Sequence, residues 1–328
     1  MKKALKAGKI KNIMKIVFLS KLSKDWEQYV NQLRDEFPGV EFIENHDPEN
    51  RINVLKDSDA VIAGKITTEE LENAAKLKAV IVPFTGLNNF PTELLKERNI
   101  KIYNTHANAR YVAEHAVTLA FALLGKVIPF HNDLKKGIWS RTKETDDMWN
   151  SIINKNAGIM GYGHIGRYIA KYLKPFGVHI TGFRRNPETS SDEYADVITG
   201  NFDDLIKNSE IIFNVLPLNP ETKHIINPGN IDKFKGKYII TVGRGETIHE
   251  EALYNGLTNG IIKGAAIDVW YNYPGRNPEP VMPAKFPFWE LPNVVMSPHK
   301  SSHTAGAVTA MIDDTCENIR KFIKTHTV

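Results

Sequence analysis

The sequence predicts an α/β fold of two similar lobes built on parallel sheets, and three observations carry that prediction. Short apolar runs of strand length alternate with helix-periodic runs along the whole chain, the pattern of repeated βα units. The chain has 328 residues, more than one hydrophobic core usually fills. A glycine trio, Gly161, Gly163 and Gly166, sits between an apolar run and an amphipathic one, where a nucleotide-binding turn belongs.

The first series of strand-like runs is KIVFLS (15–20), VEFIE (40–44), AVIAG (60–64), AVIVP (79–83) and IKIYN (100–104). Helix-like stretches lie between them, among them DWEQYVNQLRDEF (25–37) and TTEELENAAKL (67–77), the second opened by a threonine cap signal. A long apolar-periodic segment follows at 109–137 and reads as one core or interdomain helix. The second series is AGIM (157–160), VHITGF (178–183), EIIFNV (210–215), YIITV (238–242), GAAIDV (264–269) and NVVMS (293–297). The last segment, 305–323, is helical by periodicity.

Composition narrows the function. Hydrophobic residues make up 42% and charged residues 24%, an ordinary globular balance. A net charge of +4 spread along the chain suits a small anionic substrate and gives no reason to expect nucleic acid. No apolar run approaches a membrane span, so no transmembrane helix is expected. The basic N-terminal dozen reads as a frayed extension, since Lys15 interrupts the apolar run that a secretory signal needs. A single cysteine, Cys316, excludes an internal disulfide framework and fits a reducing, cytoplasmic setting. The histidines show no metal-ligand spacing, and His106 and His303 read as structural or rim residues.

The glycine loop gives the first chemistry. Gly161 permits a tight turn, Gly163 lets a pyrophosphate approach the backbone, and Gly166 lets the following helix pack on its strand. Amides at the helix start, around His164 and Ile165, face the phosphates along the positive end of the helix dipole. Eighteen positions after Gly166, at the end of the next strand, an NAD site usually carries Asp or Glu for the ribose hydroxyls. This sequence has Arg184 and Arg185. The pair is either a solvated surface patch or a 2′-phosphate pocket. The missing acid favours the pocket, so NADP(H) is the expected cofactor, with NAD(H) second.

Several segments together resemble the D-2-hydroxyacid dehydrogenase family: NARYVAEHAVTLAFALL (108–124), GYGHIG (161–166), NVLPLNPETKHIIN (214–227), VGRGETIHEEAL (242–253), GAAIDV (264–269) and NVVMSPH (293–299). They come in the family's order and spacing, from about residue 80 to residue 304. The resemblance implies a discontinuous, flavodoxin-like substrate lobe, residues 1–108 plus 301–328. A Rossmann lobe that binds NAD(P) is inserted at 109–300, with the active site in the cleft. It implies interconversion of a small 2-oxo acid, such as glyoxylate or hydroxypyruvate, and its D-2-hydroxy acid. It also implies a homodimer formed through 109–150.

Residue by residue, the resemblance places Arg244 as the substrate clamp and His299 as the general acid/base. A bidentate guanidinium suits a 2-oxo acid, and an imidazole suits proton transfer to the forming alkoxide. The turn PFTGLNN (83–89) matches a loop that holds the substrate carboxylate, with Thr85, Gly86 and Leu87 as donors, although Gly86 also suits a plain turn. Asn108 either meets substrate or caps the long helix. Pro217, Thr222 and Val242 line the cofactor groove, and Asp268 matches a contact to the nicotinamide carboxamide.

One position departs from the pattern. The family usually carries a glutamate beside the histidine, five residues after the aspartate; here that position is Tyr273, followed by Pro274. Without a carboxylate partner, the His299 pKa is expected near its unperturbed value of about 6.5. Three readings follow: Tyr273 joins the relay, another carboxylate such as Glu279 moves in, or the protein is a weakly catalytic, nucleotide-dependent binding module of corepressor type. A phosphoglycerate-dehydrogenase-like activity is the alternative within the enzyme class. Trp270, Tyr271 and Tyr273 form an aromatic cluster whose simpler reading is loop packing.

Overall fold

A computed structural model describes residues 13–19, 22–45, 47–139, 148–187, 192–275 and 279–326. The basic N-terminal dozen, part of the loop at 275–286 and part of the 109–150 segment lie outside the described residues. The chain divides into two compact units, Met1–Asn108 with Ala305–Val328, and Ala109–Thr304. The return to the first unit falls at 305, where the sequence pattern placed it at 301. Lys300 and Ser301 stay with the second unit because their amides bind Asp268.

The first unit holds a five-stranded parallel sheet in the order β2-β1-β3-β4-β5. Its strands are β1 (Met14–Phe18), β2 (Val40–Glu44), β3 (Ala60–Ile62), β4 (Ala79–Val82) and β5 (Lys101–Asn104). That order is the flavodoxin-like one, with its reversal between β1 and β3. Every residue of β3 and β4 is buried, as the unbroken apolar runs AVI and AVIV require of central parallel strands. Four helices connect them: α1 (Lys24–Glu36), α2 (Arg51–Leu55), α3 (Thr68–Glu72) and α4 (Thr92–Glu97). Thr67 and Glu70 form a reciprocal capping box at the start of α3.

The second unit begins with α5 (Ala109–Leu124) and α6 (Val127–Lys135). The sequence reads these as one helix, and the structure corrects that. Gly125 and Lys126 break the periodicity, Lys126 adopting a left-handed φ of 48°, and the two helix axes differ by 56°. Among the described residues no single helix is long and apolar enough to cross a membrane.

Seven parallel strands follow in the order β12-β11-β10-β9-β6-β7-β8. They are β6 (Asn156–Met160), β7 (His179–Phe183), β8 (Val197–Thr199), β9 (Ile211–Asn214), β10 (Tyr238–Thr241), β11 (Gly264–Ile267) and β12 (Val294–Met296). Strand β8 is three residues long and half-exposed, too short to stand out in the sequence. Helices α7 (His164–Leu173), α8 (Phe202–Lys207) and α9 (Glu250–Thr258) link the strands. Helix α10 (Ala305–His326) returns to the first unit, where Ile312, Cys316, Ile319 and Phe322 pack on Ile16 and Phe18 of β1. The second sheet is a doubly wound one, with the glycine loop on its first strand beside the point where strand order reverses.

Candidate active site

The turn after β6 shows three different environments for its glycines. Gly161 has a φ of +96°, and a Cβ there would stand 3.1 Å from the backbone of Val215 and Leu216. A Cβ on Gly166 would lie 2.9 Å from the Gly161 carbonyl and from Ile159. A Cβ on Gly163 would meet nothing within 4 Å. Backbone crowding thus closes the turn on two sides, while the face over Gly163 stays open. Gly161 and Tyr162 donate their amides to the Phe183 carbonyl, which fastens the turn to the end of β7. Gly163 is the N-cap of α7, whose first amides have no acceptor within the helix, and His164 and Ile165 occupy its first turn.

Tyr162 lies under this turn and is buried, its ring packed where a Cβ on Gly182 would collide. Its hydroxyl donates to Asp192 at 2.7 Å, and Arg167 donates to the same carboxylate at 2.7 Å. Burial pushes Asp192 upward, but these bonds and the Tyr194 amide outweigh it, so its carboxyl stays below the usual range. Sequence reading missed Asp192, since nothing in its neighbourhood marks it.

At the end of β7, the Arg184 amide donates to the Thr199 carbonyl and its side chain is half-buried. Arg185 is exposed and ion-paired with Glu221. Pro217 is exposed on the same loop. Thr222 turns inward instead: its hydroxyl donates to the Pro217 carbonyl at 2.6 Å and its amide donates to the Asn219 side chain at 3.0 Å. That threonine closes the 217–222 turn. Val242 is buried, its amide on the Asn214 carbonyl.

Arg244 follows β10 between two crowded glycines. A Cβ on Gly243 would lie 2.9 Å from the Leu216 amide nitrogen, and one on Gly245 would run into the Trp270 backbone. The arginine therefore sits where three strand ends meet at close quarters. A buried polar chain holds its backbone. Asn214, fully buried, donates to the hydroxyls of Thr247 at 2.7 Å and Thr241 at 3.2 Å. Thr247 in turn donates to the Arg244 carbonyl at 2.7 Å. The guanidinium donates to the Gly243 carbonyl at 2.7 Å.

Asp268, just beyond β11, is wholly buried. One carboxylate oxygen accepts from the Lys300 amide at 2.9 Å and the other from the Ser301 amide at 3.1 Å. His115 on α5 stands 3.7 Å from the same carboxylate and 3.0 Å from the Ser297 hydroxyl. These contacts fix the segment that carries His299, whose φ is +55°. Neither His115 nor Ser297 was marked in the sequence, because both belong to apolar segments that read as core.

His299 keeps an exposed edge, yet its surroundings lower its pKa: partial burial is the largest cause, Asp268 opposes it, and the Arg244 charge adds to it. The Tyr273 ring lies 5.5 Å from the imidazole, tilted by 58°. The Tyr273 hydroxyl points the other way and accepts from the Trp270 amide at 3.1 Å. Tyr273 thus meets the histidine with its ring, while its hydroxyl is engaged by Trp270. Its own pKa is raised, by burial first, so it remains a neutral phenol. Glu279 is exposed and makes no hydrogen bond or ion pair among the described residues. Trp270 is buried against Phe288 and donates its indole N–H to the Ser297 carbonyl at 2.8 Å, and Tyr271 stacks on Phe288, so the cluster packs the loop.

In the first unit, Thr85 donates its hydroxyl to the Thr105 carbonyl at 2.9 Å and lies 3.4 Å from the Asn108 side-chain oxygen. Asn104 donates to the Thr85 carbonyl at 2.9 Å. Among the described residues the amides of Thr85, Gly86 and Leu87 make no hydrogen bond. The turn thus keeps three successive backbone donors unused. No group of three or more His, Cys, Asp or Glu side chains is placed to hold a metal ion among the described residues.

The family model for the D-isomer-specific 2-hydroxyacid dehydrogenase NAD-binding domain matches residues 117–301, more than half of the chain. The chain belongs to the D-isomer-specific 2-hydroxyacid dehydrogenase family. The hydroxypyruvate reductase of Thermotoga maritima is 32% identical over 271 residues, which cover 80% of this chain and 84% of that one. Among solved structures, a Pyrococcus horikoshii OT3 protein superposes with a TM-score of 0.82 at 27% identity, covering 94% of this chain and 92% of its own. An acyclic imino acid reductase solved with NADPH and D-arginine gives a TM-score of 0.81 at 25% identity, covering 95% and 98%. As a family member this dehydrogenase is an oxidoreductase that acts on a CH–OH group with a nicotinamide dinucleotide, and its family handles small 2-oxo and 2-hydroxy acids.

Proposed function

We propose that this dehydrogenase reduces a small 2-oxo acid and prefers NADPH. The observation that carries the reading is the grouping of Arg244, His299 and Asp268 at the ends of neighbouring strands, in the same unit as an open glycine turn. The turn fits a dinucleotide because Gly163 leaves its face clear, while Gly161 and Gly166 are closed by backbone. When bound, the nicotinamide supplies the hydride.

This chain's residues do the rest. The Arg244 guanidinium pairs with the substrate carboxylate and polarises the carbonyl oxygen. The His299 imidazolium gives its proton to that oxygen, and in the oxidative direction the neutral ring takes it back. Asp268 holds the histidine's segment in place through the Lys300 and Ser301 amides.

Arg184 and Arg185 support NADPH, since they stand where an acid would otherwise receive the ribose hydroxyls. The imino acid reductase of similar fold binds NADPH, and the Thermotoga relative is a hydroxypyruvate reductase; both agree with this reading. The presence of Arg244 and His299 favours chemistry over a binding module. Exposed apolar side chains between Val127 and Ile153, including Leu134, Trp139 and Trp149, support association with a second copy.

The test is side-by-side oxidation of NADPH and NADH with glyoxylate, hydroxypyruvate and a branched 2-oxo acid. Turnover favouring NADPH is expected. Tight cofactor binding with no turnover on any of them would sink the proposal in favour of a binding module.

A further inference from the structure

Reducing a carbonyl and reducing an iminium ion make different demands on a site. Hydride addition to a 2-oxo acid forms a C–H bond and leaves the electron pair on oxygen, which must receive a proton. Hydride addition to a 2-iminio acid also forms a C–H bond, but the C=N pair moves onto a nitrogen that already carries its protons. The product is a neutral amine, which takes its last proton from water. The first reaction needs a charged imidazole at the site; the second needs only an acceptor for the substrate's N–H.

The groups facing His299 describe a site of the second kind. The neutral phenol ring of Tyr273 lies 5.5 Å from the imidazole where a carboxylate would otherwise stand. Arg244, from the end of β10, brings a positive charge. Asp268, from the end of β11, is the one carboxylate acting on the ring among the described residues, and both its oxygens are already engaged by the Lys300 and Ser301 amides. Lys300 follows His299 directly in the chain. This setting disfavours the imidazolium and leaves a ring with an open lone pair. Asp268 opposes this trend without reversing it.

We propose that this site also reduces 2-iminio acids, formed from a 2-oxo acid and ammonia or a primary amine, with neutral His299 accepting the iminium N–H. Arg244 pairs with the carboxylate as before, so the zwitterionic substrate meets a positive group at one end and an acceptor at the other. The inference rests on the hydride-transfer reading above and adds a substrate class to the same residues.

The experiment uses the full chain with NADPH and a 2-oxo acid, with and without ammonia or methylamine, in acid and in mildly alkaline buffer. Hydroxy and amino acid products are separated by mass spectrometry. The expected result is amino acid formation that grows with amine concentration and exceeds hydroxy acid formation about tenfold in alkaline buffer. Tyr273→Glu returns a carboxylate to the ring and is expected to reverse that ratio. Calorimetry gives a reading independent of turnover: with NADP+ bound, a 2-amino acid should bind more tightly than the matching 2-hydroxy acid in alkaline buffer, where more of its amine is uncharged. If the hydroxy acid is the sole product at every amine concentration, the inference is overturned and the 2-oxo acid activity stands. If neither product forms, both fail together.

Discussion

Thr247 donates its hydroxyl proton to the carbonyl oxygen of Arg244 at 2.7 Å while receiving one from Asn214 at the same distance. The backbone of the proposed clamp is therefore held from below by a threonine with no solvent exposure. Thr247→Val would remove both hydroxyl bonds, leaving Asn214 with Thr241 alone and the Arg244 carbonyl with the Thr247 amide alone, costing about 1–3 kcal/mol in thermal unfolding. Substrate KM should rise about tenfold as Arg244 loses its placement. The NADPH dissociation constant should stay level, and Thr247→Ser should restore both readings. A Val variant with unchanged KM would show that Arg244 is placed by other means.

The glycines at 161 and 163 should separate folding from binding. Gly161→Ala meets both a φ of +96° and the 215–216 backbone, so a loss of about 1–3 kcal/mol is expected by denaturant titration. Gly163→Ala has room and an ordinary φ of −111°, so stability should hardly change while dinucleotide affinity falls. The pair is checked by comparing urea midpoints with cofactor titrations. Equal destabilisation of both variants would remove the case for an open phosphate face at Gly163.

Cofactor choice should answer to Arg184 and Arg185. Replacing both with Ala should weaken 2′-phospho-ADP about tenfold or more and leave ADP nearly unaffected, as read by calorimetry. Glu221→Gln frees Arg185 from its exposed ion pair and should tighten 2′-phospho-ADP. Unaltered selectivity in the double variant would return the arginines to solvated surface.

Carbonyl reduction should rise toward acid. The charged ring is the competent form, and its pKa is held below the ordinary value of about 6.5. Hence kcat/KM for a 2-oxo acid should fall as pH climbs through a midpoint under that value. Tyr273→Glu should move the midpoint upward by about one unit or more. A wild-type midpoint above 7 would mean that a stronger anionic partner reaches His299 than any described here.

Much of this was legible in the sequence because it depends on local patterns. Unbroken apolar runs marked the buried parallel strands, and the spacing of Gly161, Gly163 and Gly166 marked the turn. The break between α5 and α6 was lost because apolar periodicity resumes after Lys126, and only the left-handed backbone there shows the interruption. The partners of Asp268 were not readable at all. His115 lies 153 positions before it and Ser301 lies 33 after, and only sheet order brings them together. Tyr273 was visible as a departure from the family pattern. That its ring and not its hydroxyl meets His299 required the fold.

The crowding on both sides of Arg244 also bears on how such an enzyme can change. Positions 243 and 245 admit no side chain, and Gly182 is filled by the Tyr162 ring, so these sites are closed to gradual substitution. Arg185, Glu221 and Tyr273 stand at the surface with space around them. A lineage, or an engineer, seeking a different coenzyme or a different substrate charge has its freedom at those three outward positions. The backbone that aims the arginine would be inherited unaltered.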